Sequence, residues 1–188
     1  MKFYLYICFA LLLFQCSPQK NVEQNQELWN FKPQNNLSNF DQACMPLLMQ
    51  YQELLKGVAS NDTNYIGTAT KNLVQLTDSF PTSAISFKDN SLNEQVKNSL
   101  TNTNAELRAL LAEPNSEALH MATHMVSIQL LNLLAMTGFK EKSIYIFSVE
   151  DENFEDGLIW FGWNKKSTDP YHFKNKTEIL AYQFLQEQ

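Results

Sequence analysis

Apolar positions recur at helical spacing in four successive segments of the chain. The first stripe runs from Leu47 to Val58, the second from Tyr65 to Phe80 and the third from Leu92 to Leu110. Each stripe repeats every three to four residues, which indicates the buried face of an amphipathic helix. Almost every position from Met125 to Met136 is apolar, and a helix that is apolar on all sides is typical of the centre of a bundle.

Capping and breaking residues indicate where these helices begin and end. Asp62 is expected to cap the second helix, and Ser91 with Glu94 forms a capping-box pattern at the start of the third. Gly138 is expected to end the fourth helix in the left-handed conformation.

The first helix has two interpretations at its start. It begins near Pro46, or it begins at Ser38 and is kinked by Pro46. Gly57 and Asn61 are expected to close it.

The C-terminal part of the chain changes to strand-like spacing. Lys142–Val149 and Gly157–Trp163 are rich in β-branched and aromatic residues, which predicts a β-hairpin with a long acidic loop ending in an Asp-Gly turn. Thr177–Leu185 fits either a short helix or a last strand. The sequence therefore predicts a mainly α, α+β fold: a four-helix up-down bundle with a C-terminal β-hairpin and a short terminal segment.

The N-terminus has the features of an export signal. Lys2 precedes an apolar run from Phe3 to Phe14, which is too short to span a bilayer as a helix. Gln15 and then Cys16 follow, and this arrangement resembles the lipobox of bacterial lipoproteins, although Gln15 stands where a small residue is usual. The resemblance implies cleavage before Cys16 and a lipid on its thiol. Ordinary secretion and an uncleaved anchor are the alternatives.

Three regions follow from this pattern. Residues 1–15 form the signal peptide, and residues 16–37, rich in Asn, Gln, Lys and Pro, form a flexible tether. Residues 38–188 form the folded domain. The expected location is the bacterial cell envelope, lipid-anchored, on the periplasmic or the outer-membrane and surface side.

The charge and the missing motifs exclude several functions. The net charge is −6, Arg108 is the single arginine, and no Lys/Arg cluster occurs, so we expect neither nucleic-acid binding nor a polybasic membrane surface. The usual hydrolase, phosphate-loop and dinucleotide motifs are missing from the sequence, so we expect no enzyme. The acidic run Glu150–Asp156 is interpreted as a solvated loop.

His120 and His124 are the candidate metal ligands because they lie one helical turn apart. Copper or silver would suit them if further ligands came from Cys44, Met45 and Met49 on the first helix. The interpretation we favour is that the two histidines are packing or surface residues and that no cofactor is bound. Cys44 is expected to be a buried, inert thiol.

The aromatic residues near the C-terminus are interpreted as packing rather than ligand-binding residues, because half of the side chains on a strand face a core. They are Trp160, Phe161, Trp163, Tyr171 and Phe173.

Several short motifs are similar to one family, an uncharacterised periplasmic helical domain found alone or attached to membrane-fusion subunits of copper and silver efflux systems. The similar segments are Tyr51–Leu55, Asn61–Asp62, Met125–Tyr145, Gly157–Trp160 and Asp169–Tyr171. The resemblance implies the helical fold, the envelope setting and a link to heavy-metal handling.

This chain departs from the family where metal chemistry would be expected. The family often carries Cys-Pro-Met where this chain has Ser148–Glu150, and no cysteine follows Tyr171. We therefore expect an envelope-anchored, non-enzymatic binding or accessory lipoprotein. The alternative is a structural envelope lipoprotein that has no small ligand and contacts a protein partner through the hairpin and its aromatic face.

Overall fold

The structure, a computed structural model, describes residues 38–112, 116–152, 154–172 and 177–183. The predicted signal peptide, Cys16 and the tether lie outside these residues. The expected mainly helical α+β fold is confirmed. The elements are α1 (Ser38–Ser60), α2 (Thr63–Asp78), α3 (Asn90–Ala112), α4 (Ser116–Thr137), β1 (Ile144–Asp151), β2 (Phe154–Gly162) and β3 (Glu178–Gln183).

Helix α1 begins at Ser38 and continues through Pro46 to Ser60. Pro46 has no N–H, so the carbonyl of Gln42 lacks its helical partner. Pro46 and Gln42 are both exposed, which leaves that carbonyl within reach of water. Of the two interpretations of the start, the one at Ser38 is confirmed.

Gly57 does not close α1, so this prediction is wrong. The glycine is buried inside the helix, and a Cβ there would lie 3.0 Å from Ile66 Cγ1 and 3.1 Å from the Ile66 backbone nitrogen. Its role is to let α1 approach α2 closely. The helix instead ends one residue before Asn61, which has a φ of 52°.

The capping residues agree with the sequence in α2 and differ in α3. Asp62 caps α2 as expected, accepting a hydrogen bond from the Tyr65 N–H at 3.0 Å. The capping residue of α3 is Asp89, whose carboxylate accepts from the Ser91 N–H at 2.8 Å. The prediction that Ser91 caps α3 is therefore wrong, because the helix begins at Asn90 and Ser91 already lies inside it.

Helix α4 is the central helix, as expected. Val126, Leu130 and Leu134 are fully buried, and Gly138 follows the helix with a φ of 66°. Among the described residues, Ala118–Thr137 is the one helix whose length and mean hydropathy of 1.2 would allow it to cross a membrane. Half of it is buried inside the domain, and a core helix has these same properties.

Consecutive helices pack against one another, and α4 also packs on β2. Two contacts show that α1 and α4 run antiparallel. The carboxylate of Asp41, in the first turn of α1, accepts from the backbone N–H of Lys140, just beyond α4, at 3.2 Å. Further along, the hydroxyls of Tyr51 and Ser127 lie 2.6 Å apart.

The C-terminal segment is a strand, and the sheet has the order β2-β1-β3 with both pairs antiparallel. The expected hairpin is present, but its strands extend into the acidic run. Gly157 is not part of the turn, so that prediction is wrong. It lies in a bulge of β2 with a φ of 74°, and a Cβ there would lie 2.3 Å from the Val149 carbonyl oxygen.

The aromatic residues on the hairpin are core residues, as expected. Trp160, Phe161 and Tyr171 are buried, and Trp163 is half-buried. Phe173 lies outside the described residues. The Trp160 ring stacks on Phe147 and meets Tyr171 edge-on, so these side chains form the packing layer of the sheet.

Candidate functional site

The two histidines of α4 lie against aromatic rings on the sheet side of the domain. His120 is half-buried and meets the Tyr171 ring edge-on, with 5.3 Å between ring centroids. His124 is only 5% exposed, and its ring centroid lies 4.4 Å from that of Phe154. The pair therefore lies in the seam between α4 and β2.

His124 binds the backbone of β2 directly. Its Nδ1 accepts a hydrogen bond from the Ile159 N–H at 2.9 Å. Because the lone pair of Nδ1 is directed at that amide, the neutral ring carries its proton on Nε2. A metal needs a ring nitrogen with a free lone pair, so this geometry makes His124 a hydrogen-bond donor rather than a ligand.

Both histidines are held in the neutral form. Burial lowers the pKa of His124, against the opposing effect of the Asp151 and Asp156 carboxylates. Burial also lowers the pKa of His120, against the opposing effect of Asp169. Loss of solvation penalises the charged imidazolium in each case.

Side chains from α1, from α4 and from the loop after β2 form hydrogen bonds with backbone groups on the outer edge of β2. The Ile159 carbonyl accepts from the Tyr171 hydroxyl at 3.1 Å. Two residues on, the Phe161 N–H donates to the Tyr51 hydroxyl at 3.4 Å, and the Phe161 carbonyl accepts from Gln52 Nε2 at 3.0 Å. With the His124 contact, four side chains take the place of a neighbouring strand. Sequence reasoning did not find this set, because such partners have no fixed spacing along the chain.

A buried chain of hydroxyls continues from this edge into the bundle. Ser127 Oγ donates to the Thr123 carbonyl at 2.8 Å, so its one proton is used there. The Tyr51 hydroxyl must then donate to Ser127 and accept from Phe161. Burial raises the pKa of both Tyr51 and Tyr171 well above its usual value, so both phenols stay protonated. The Thr123 hydroxyl oxygen is buried without a hydrogen-bond partner among the described residues.

An open groove of about 270 Å³ lies beside His124. Helix α4 lines one side with His124, Ile128 and Asn132, and β2 lines the other with residues 154–157 and Ile159. The ring of His124 has one hydrogen-bond partner within the described part of the chain, the Ile159 amide on Nδ1, so its Nε2–H has no protein partner there. The groove therefore combines a hydrogen-bond donor, two exposed carboxylates at positions 155 and 156, and apolar walls.

The structure does not bring the other candidate ligands to the histidines. Cys44 is fully buried, Met45 is half-buried and Met49 is 60% exposed. Because α1 and α4 are antiparallel, Cys44 lies about 15 Å from His124 along the bundle, at 1.5 Å rise per residue. Burial, and to a lesser extent Asp41, raises the pKa of the Cys44 thiol, as expected for an inert cysteine. The described segments contain no group of three or more His, Cys, Asp or Glu placed to hold a metal ion.

Comparison of the chain with protein-family models, with curated proteins and with solved structures found no match.

Proposed function

We propose that this chain is an envelope-anchored, non-enzymatic binding or accessory lipoprotein, and that the groove beside His124 is its binding site. The order of export signal, Cys16 and tether supports the anchor. The observation that carries the binding site is the Nε2–H of His124, a donor that lines an open groove and has no hydrogen-bond partner among the described residues.

The chemistry of the nearby groups supports a function without catalysis. The Nδ1 lone pair of His124, which would act as a general base, is already bound to an amide. The hydroxyls of Tyr51 and Tyr171 are buried, hydrogen-bonded and hard to ionise. Cys44 is buried at a distance. None of these four side chains is therefore placed as an activated nucleophile with a base in reach.

The groove favours a ligand with two different ends. The Nε2–H of His124 suits a hydrogen-bond acceptor such as a carbonyl or carboxylate oxygen. The exposed carboxylates of Glu155 and Asp156 suit a cationic group, and Phe154 and Ile128 give an apolar wall between them. A lysine residue within a peptide has all three properties: a backbone carbonyl, an aliphatic stem and an ammonium group.

The experiment that tests the groove is a titration with Nα-acetyl-lysine-N-methylamide, followed by the NMR signals of the histidine rings. We expect shifts at His124 that are reduced in Asp156→Asn. The norleucine analogue, which lacks the ammonium group, should shift His124 less. If millimolar concentrations of the lysine compound shifted no His124 signal, the groove would not be the binding site.

The link to heavy metals comes from the family resemblance, and the geometry of His124 does not favour a metal there. We expect no sub-micromolar binding of Cu(I), Ag(I), Cu(II) or Zn(II) that depends on His120 and His124. Tight binding that is lost in the His120→Ala, His124→Ala double variant, with the fold intact, would show that the pair is a metal site.

The partner-contact alternative has less support. It relies on an aromatic face of the hairpin, and Trp160, Phe161 and Tyr171 are buried in the domain. These rings are therefore not available to a protein partner.

A further inference from the structure

The segment after α4 lies beside the point where the tether joins the domain. Helix α1 begins at Ser38, directly after the tether of residues 16–37. Three residues later, Asp41 binds the backbone N–H of Lys140. Residues 140–142 and the start of β1 are therefore held next to the start of α1.

Four lysines meet at this end of the hairpin. The register of the strands pairs Tyr145 with Gly162, so the residues before β1 lie beside the residues after β2. Accordingly, Lys142 Nζ lies 5.4 Å from the ring centroid of Trp163. We name this surface the basic end, and it comprises Trp163 and the exposed residues Lys140, Lys142, Lys165 and Lys166.

The basic end stands out in an acidic protein. Residues 140–142 and 163–166 contain four lysines and one acidic residue, Glu141, in a chain of net charge −6. This set is not evident in the linear sequence, because 20 residues separate its two halves. The opposite end of the hairpin carries the acidic run of residues 150–156, about 25 Å away at 3.3 Å per strand residue. The charges of the hairpin are thus separated along its length.

We propose that the basic end lies against an anionic phospholipid surface. This proposal rests on the lipid anchor of the proposed function, because the tether would bring this end of the domain to the membrane. Lysines near such a surface are attracted to it, and their aliphatic stems reach toward the headgroups. Tryptophan is favoured at the boundary between headgroups and acyl chains, where Trp163 would lie. The groove beside the acidic run would then face away from the membrane.

The test is co-sedimentation of the mature chain from residue 16 onward, carrying Cys16→Ala, with lipid vesicles. This chain contains every described residue and has no lipid, so the result is independent of the anchor. We expect binding to vesicles of equal parts phosphatidylglycerol and phosphatidylcholine at low salt. Binding should be lost in 0.5 M salt and missing with phosphatidylcholine alone, because the attraction is screened.

Two triple variants with the same change in net charge locate the surface. Lys140→Gln, Lys142→Gln and Lys166→Gln together should weaken binding about 100-fold, at about fivefold for each lysine. The control, Lys56→Gln, Lys71→Gln and Lys97→Gln, changes exposed lysines on the helices and should weaken it less than fivefold. Circular dichroism and the melting temperature confirm that both variants are folded.

Three results would overturn the proposal: equal losses in the two variants, equal binding to both kinds of vesicle, or equally tight binding to double-stranded DNA, which would reveal a general affinity for polyanions. A failure here leaves the lipid anchor intact, because labelling of Cys16 tests the anchor separately.

Discussion

His124 and Ile159 join the central helix to the sheet through one hydrogen bond, in which the imidazole Nδ1 accepts from the backbone N–H at 2.9 Å. The bond exists only while the ring is neutral at Nδ1. Protonation would place a second donor against the amide and break the contact. The stability of the domain is therefore linked to the protonation of this residue.

This linkage predicts a loss of stability in mild acid. The pKa of His124 is lower in the folded state than the usual value of about 6.5, so the unfolded state binds more protons below that pH. Stability should be complete above about pH 7 and should fall as the pH decreases through 6.5. In His124→Asn, whose side-chain oxygen can accept from Ile159 without titrating, urea unfolding at pH 7.5 and pH 5.5 should show a smaller difference. If the variant lost as much stability between pH 7.5 and pH 5.5 as the wild type, a residue other than His124 would cause the pH dependence. His120 would be the next residue to test.

Removal of the Tyr51 hydroxyl, a single oxygen atom, should markedly lower the free energy of unfolding. Tyr51→Phe leaves the buried Phe161 N–H without an acceptor and removes the contact with Ser127. We expect a loss of about 1–3 kcal/mol in the free energy of unfolding, measured in urea. The control is Tyr65→Phe, since Tyr65 is exposed and bonds Glu53 on the surface. A change above about 0.5 kcal/mol there would mean that tyrosine hydroxyls matter in general rather than at this site.

Two glycines should respond in opposite directions to alanine. Gly157→Ala combines a φ of 74° with a Cβ only 2.3 Å from the Val149 carbonyl oxygen, so β1 and β2 must separate locally. We expect a loss of more than about 2 kcal/mol. Gly67→Ala, inside α2 with nothing within 4 Å of the new Cβ, should stabilise the protein by up to about 1 kcal/mol. Thermal melts of the two variants give the comparison, and destabilisation by both would contradict it.

Two variants at the start of α3 test which residue caps the helix. The structure shows Asp89 in this role, whereas the sequence predicted Ser91. Asp89→Ala removes the acceptor for the Ser91 N–H and should cost about 1 kcal/mol. Ser91→Ala removes an exposed hydroxyl that accepts from Gln95 and should cost less than about 0.5 kcal/mol. If chemical denaturation showed a larger loss of stability for Ser91→Ala than for Asp89→Ala, Ser91 would be the capping residue.

The anchor can be tested without reference to the fold. Cys16→Ala should abolish incorporation of labelled palmitate and move the protein out of the membrane fraction, or leave it unprocessed. Cys44→Ala serves as the control, because Cys44 is buried and should take up no lipid. Continued labelling and membrane retention of processed Cys16→Ala would end the lipoprotein interpretation.

Local chemistry made much of the fold predictable. The capping carboxylate of Asp62, the left-handed Gly138 and the buried stripe of α3 all depend on neighbours within a few residues, and the structure has each where the sequence indicated. Gly57 and Gly157 were misassigned because a glycine that permits close approach looks the same in sequence as one that ends an element. Only the position of the opposing backbone distinguishes the two cases.

The candidate site was predictable only in part. The spacing of His120 and His124 predicted two side chains on one face of one helix, and both lie on α4 against aromatic rings of the C-terminal segment. Their partners could not be derived, because Ile159 and Tyr171 come from segments more than 30 residues away. The direction of the Nδ1 lone pair, which decides between a metal ligand and a hydrogen-bond donor, depends on the register of β2 against α4.

The side-chain closure of the β2 edge also affects how the protein can fold. Gln52 and Phe161 lie 109 residues apart, and Tyr51 reaches the same strand over 110 residues. The hairpin can pair locally, but its outer edge stays open until α1 and α4 have packed together. Contacts of such long sequence separation slow folding. During that interval the open strand is free to pair with the same strand of another molecule, so self-association during refolding should increase with protein concentration.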